Sequence, residues 1–126
     1  MKGGIIISFN VIFYETEDGK IPAREFIKSQ DEKMRRKIEH DLVILKDFGN
    51  TLRMPHSEHL QDGIFQLRTQ LGNNISRILY FFYYGSDIVI TNGFIKKTQE
   101  TPPKEIETAK KYRVDYLERR NKNVYS

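Results

Sequence analysis

Residues 64–95, IFQLRTQLGNNISRILYFFYYGSDIVITNGFI, decide the fold. Three runs rich in β-branched and aromatic residues, Ile64 to Gln70, Ile75 to Tyr84 and Asp87 to Ile95, are joined by Leu71-Gly72-Asn73-Asn74 and Gly85-Ser86. Such runs read as strands, and connectors this short and rich in Gly and Asn read as hairpin turns. A three-stranded antiparallel meander is predicted. Side chains alternate between the two faces of a strand, so Ile78, Tyr80 and Phe82 share one face of the middle strand while Arg77, Leu79 and Phe81 share the other.

Upstream, Ile5 to Tyr14 has strand composition and ends in a turn cluster containing Gly19. Pro22 suits the first turn of a short helix over Ala23 to Ser29, and Ser29 or Asp31 can cap the next helix. Met34, Ile38, Leu42, Leu45 and Phe48 then recur at helical spacing until Gly49-Asn50 stops the run. Thr51 to Gly63 reads as a polar loop. Downstream, Pro102-Pro103 prepares a helix whose buried stripe is Ile106, Ala109, Tyr112 or Arg113, and Tyr116 or Leu117; Asn121 to Ser126 reads as a frayed tail. The expected fold is one α+β domain over residues 1–126, with an N-terminal strand, two helices, the meander and a C-terminal helix. Helices on a single face would leave the other face of the sheet open.

Composition narrows the function classes. The chain has 126 residues, 38% hydrophobic and 30% charged, as in a soluble globular domain. Its longest apolar run, Ile78 to Tyr84, is far shorter than the roughly 18–20 residues of a spanning helix. The N-terminal apolar run is also too short for a signal peptide, so a cytoplasmic location is the default expectation. Cysteine is absent, which excludes disulfides, thiol nucleophiles and thiolate metal sites. His40, His56 and His59 lack helical metal-ligand spacing, and no metal or other cofactor is expected. The net charge of +4 is unevenly spread: residues 1–63 hold 10 Lys+Arg against 11 Asp+Glu, and residues 64–126 hold 11 against 6. A basic half suits an anionic partner, either nucleic acid or an acidic protein segment.

The candidate chemistry is cationic. Arg68, Arg77 and the pair Lys96-Lys97 interrupt the meander, and strands about 4.8 Å apart can bring such residues onto one phosphodiester. Taken singly, each also reads as an ordinary strand-end charge that keeps an edge soluble. There is no paired-carboxylate motif, Gly-rich phosphate loop or nucleophile elbow.

Four blocks carry a resemblance: Asp62 to Arg68, Ser76 to Phe82, Gly93 to Thr98, and Thr101 to Ala109. In content and spacing they resemble the phage-derived branch of the RelE/HigB toxins of bacterial type II toxin-antitoxin systems, over roughly residues 5–118. The resemblance implies a RelE-like fold and a small, metal-independent endoribonuclease that cuts mRNA on the ribosome. It also implies a helix-turn-helix, HigA-like antitoxin as partner. By the same resemblance Arg77, Lys97 and Arg68 are the catalytic cations, with Lys96 and His59 in RNA binding.

The sequence departs from that pattern in two places. Ile106 stands where several relatives carry a tyrosine, and Gln66 stands where this branch usually carries glutamate. The proton-transfer groups therefore stay open, with His59 a candidate substitute and Tyr112 and Tyr116 further along the helix. Two other readings remain beside the nuclease. One is a non-enzymatic, ParE-like gyrase inhibitor; the other is a degenerate phage remnant that still binds an antitoxin.

Overall fold

The computed structural model describes residues 9–95 and 100–125. In chain order the elements are β1 (Asn10–Phe13), α1 (Pro22–Ser29), α2 (Glu32–Phe48), a 3-10 turn (Gly49–Thr51), β2 (Ser57–Gln61), β3 (Ile64–Leu71), β4 (Asn74–Tyr83), β5 (Asp87–Ile95) and α3 (Pro103–Tyr125). The strands form one five-stranded sheet in the order β1-β5-β4-β3-β2. β1 runs parallel to β5, and every other pair is antiparallel.

Local chemistry sets most boundaries. Pro22 opens α1, where its missing N–H costs nothing. The Asp31 carboxylate caps α2 by accepting from the Met34 N–H at 2.9 Å. Gly49 ends that helix at φ +52, and a Cβ there would lie 2.1 Å from the Phe9 ring, so only glycine fits.

Residues 51–63 were expected to be loop, and the structure corrects this: β2 lies within them and pairs with β3, making the meander four strands long. Asp62 and Gly63 both take positive φ between the two strands, as a type I′ hairpin turn requires. The tail expectation is corrected too, because α3 continues through Tyr125. Of the expected first strand, Ile5 to Ser8 lie outside the described residues.

The largest correction concerns the open face. α1 and α2 cover one side of the sheet, where Ala23, Ile27, Met34, Ile38 and Leu45 pack on Leu67, Ile78, Tyr80, Ile88 and Ile90. α3 covers the other, where Ala109, Tyr112 and Tyr116 meet Tyr14, Ile64, Leu79, Phe81 and Val89. The reason is energetic. Leu79, Phe81 and Val89 are at most 2% exposed, and burying a large apolar side chain contributes about 1.5–3 kcal/mol, so that face needed a cover as much as the first.

A bulge sits between β4 and β5. Ile78 opposes Gly93 and Tyr80 opposes Ile90, so Thr91 and Asn92 together face Leu79. The Thr91 hydroxyl donates to the Leu79 carbonyl at 3.1 Å. Bulges re-aim side chains, and this one sends the Asn92 amide to the Glu105 carbonyl (3.3 Å) and carboxylate (3.1 Å) in the first turn of α3. On the opposite face a Cβ on Gly93 would lie 2.5 Å from the Phe26 ring, so α1 packs directly on strand backbone there.

Candidate functional site

Arg68 and Arg77 are direct partners across the β3–β4 ladder, and both point to the face that α3 covers. The face expected for Arg77 is therefore correct, but its exposure is not: Arg77 is 2% exposed. Its Nη1 donates to the Thr101 hydroxyl at 3.4 Å, just ahead of α3. That hydroxyl donates to Gln66 Oε1 at 2.5 Å, and Gln66 Nε2 donates to the Glu58 carboxylate at 3.0 Å. Glu58 lies opposite Gln66 on β2, so a polar chain crosses from β2 through β3 to the entry of α3.

Electrostatically the corner is positive, with the Glu58 carboxylate beside Arg77 and Asp41 in the cleft that Arg68 lines. Burial holds the Arg77 guanidinium below its ordinary pKa, the nearby Arg68 charge pushes in the same direction, and Glu58 opposes both. A guanidinium stays protonated through such a shift, so two positive charges occupy adjacent ladder positions. Like charges directly opposite each other on a sheet are unfavourable, and an anion bound at the accessible Arg68 would offset the repulsion. Arg68 is the accessible member. It is half-buried and lines a cleft of about 170 Å³ with Lys37, Asp41, Pro55, His56 and Gln70.

The other expected site residues divide. Lys96 and Lys97 lie outside the described residues; they follow Ile95, the end of the strand whose Phe94 opposes Arg77. His59 does not join the cluster. It lies on β2 rather than in a loop and on the α1–α2 side of the sheet, edge-on to Phe65 at 5.0 Å, and its Nε2 accepts the Gly63 N–H at 3.1 Å. Its ring thus supports the hairpin turn from β2. Tyr112 stacks on Tyr14 at 4.6 Å and Tyr116 packs edge-on to Phe81 at 5.8 Å, so both belong to the core. Gln66, which the sequence marks only as a departure, has an internal reason. Fully buried between a carboxylate and a hydroxyl, it uses its amide as donor to one and acceptor from the other.

Glu58, Thr101 and Asn92 were not foreseen. The signal for Glu58 was present in Asp62-Gly63: a type I′ turn needs a strand before it, and Ser57 to Gln61 is the stretch that supplies one. Asn92 had no comparable signal, because a bulge depends on pairing between strands.

Residues 25–114 match the family model described as "Phage derived protein Gp49-like (DUF891)". The chain belongs to this family. Gp49-like proteins are related to the RelE-like proteins of toxin-antitoxin systems, so an antitoxin partner is in keeping with the match. The Gp49-like region runs from α1 into the middle of α3 and contains Glu58, Gln66, Arg68, Arg77 and Thr101. No curated protein matches the chain. Among the described residues no helix is long and apolar enough to cross a membrane.

Proposed function

We propose that this Gp49-like chain is the toxin of a toxin-antitoxin pair and cuts mRNA on the ribosome as a metal-independent endoribonuclease. The observation that carries the reading is the placement of Arg68 directly opposite Arg77, two cations on adjacent ladder positions of the basic C-terminal half of the chain. Family membership supports the toxin part.

In the proposed reaction the ribose 2′-hydroxyl attacks the adjacent phosphorus and the P–O5′ bond breaks. This leaves a 2′,3′-cyclic phosphate and a 5′-hydroxyl end. Charge builds on the non-bridging oxygens, and fixed cations in a water-poor site stabilise it more than mobile ones. Arg68, half-exposed, makes the direct contact. Arg77, held under Thr101, contributes its field from behind at low effective dielectric. Lys97 and Lys96 are assigned to the same phosphate by resemblance, Lys97 at the reacting oxygens and Lys96 in orientation.

One observation favours a second reading. Arg77 at 2% exposure, bonded to Thr101, does not reach RNA in this arrangement, as suits a chain that keeps the fold and the antitoxin but has lost cleavage. Purified protein, 70S ribosomes and a defined mRNA separate the two. The nuclease reading expects ribosome-dependent fragments with cyclic phosphate ends, and intact mRNA supports the second.

A further inference from the structure

On the side of the sheet away from Arg68 and Arg77, α1 and α2 diverge over β1 and leave a trough of about 750 Å³. Its floor is apolar: Phe13 from β1, Ile27 from α1 and Leu42 from α2. Its walls are two helical stripes. Arg24, Ile27 and Lys28 stand three and four residues apart on α1, and Arg35, Glu39 and Leu42 stand four and three apart on α2. Val43, one turn beyond Glu39, continues the second stripe and is 56% exposed. The rim therefore has three cations and one anion, and the Arg24 guanidinium sits 5.4 Å above the Phe13 ring.

We propose that this trough receives an acidic amphipathic helix from a protein partner. A helix offers apolar anchors at i, i+3 or i+4, and i+7, which suits a floor lined by Phe13, Ile27 and Leu42. Glutamates or aspartates flanking that stripe meet Arg24, Lys28 and Arg35. Charge also selects among occupants. A second copy would bring the same three cations together on a chain of net charge +4, and the apolar floor offers nothing to a phosphate backbone. The trough lies on the face opposite the Arg68 and Arg77 side chains, with β1 and β3 three strand spacings apart, about 14 Å, and the cleft beside Arg68 meets α2 through Lys37 and Asp41, which do not line the trough. The proposal thus goes beyond the nuclease reading, and its test uses no RNA.

The test uses the full chain and a fluorescent 16-residue helical peptide with leucines at i, i+4 and i+7 and glutamates on both flanks. Its twin has every glutamate replaced by lysine. Anisotropy titration is expected to give saturable binding of the glutamate peptide and none of the lysine peptide. The double variant Lys28→Glu with Arg35→Glu should weaken binding about tenfold, the scale of two rim ion pairs, and circular dichroism checks that it stays folded. Amide NMR shifts should fall on β1, α1 and α2. Equal binding of the two peptides, no effect of the charge reversal, or shifts mapping to another surface would overturn the proposal. So would a dimer in sedimentation that Lys28→Glu dissociates, since the groove would then belong to a second copy.

Discussion

Arg77 and Tyr80 lie three residues apart on β4, one under each layer of helices, and both depend on a hydroxyl partner. The Tyr80 hydroxyl shares a hydrogen bond with the buried Ser57 of β2. Replacing Tyr80 by Phe keeps the ring contacts with Phe65 and Phe82 but leaves Ser57 without that partner. A loss of about 1–2 kcal/mol is expected, read as a lower denaturation midpoint in urea at unchanged slope. Burial pushes the Tyr80 hydroxyl up to about 12 from 10.0, and Tyr14, buried and donating to Asp115, is also held at about 12. The unfolded chain releases these protons first as pH rises, so folding stability is full below pH 10 and falls between pH 10 and 12. Thermal midpoints across that window should drop, and the drop should be smaller in Tyr80→Phe. The Arg68 substitution behaves differently. Arg68→Ala removes one of two opposed charges, so the thermal midpoint should stay level or rise slightly while binding of single-stranded RNA weakens and loses part of its salt dependence.

At the scale of elements, the sheet's register decides what the site can be, and the sequence exposes only part of it. Period-two alternation placed Arg77 correctly, and the helix-capping residues Pro22, Asp31 and Gly49 marked their boundaries because each acts through its own neighbours. β2 was harder to read, since its outer positions are polar and its pairing is visible only through the turn at Asp62-Gly63. The bulge at Thr91 and Asn92 and the burial of Arg77 under Thr101 were beyond reach, because both arise between elements distant in sequence. The approach of α1 to β5 makes a direct prediction. Gly93→Ala places a methyl 2.5 Å from the Phe26 ring carbon and should cost about 1–3 kcal/mol, whereas the further change Phe26→Leu should recover part of it by making room. Urea denaturation of the single and double variants measures both.

At the scale of the whole molecule, two helical layers enclose the sheet and divide its surface into two candidate regions. One is the arginine corner near the entry of α3; the other is the trough between α1 and α2. At the corner, the proposed reaction has Arg68 hold the phosphodiester while the charge of Arg77 acts from behind it. The most direct measurement is to induce the wild type and Arg68→Ala without an antitoxin and map mRNA 5′ ends across the transcriptome. New cuts inside translated reading frames are expected with the wild type. These should fall by about 10²- to 10³-fold in Arg68→Ala, the usual effect of losing one charge-stabilising donor. A wild-type chain that accumulates to normal levels, folds, and leaves translated mRNA without new cuts would contradict the proposed reaction.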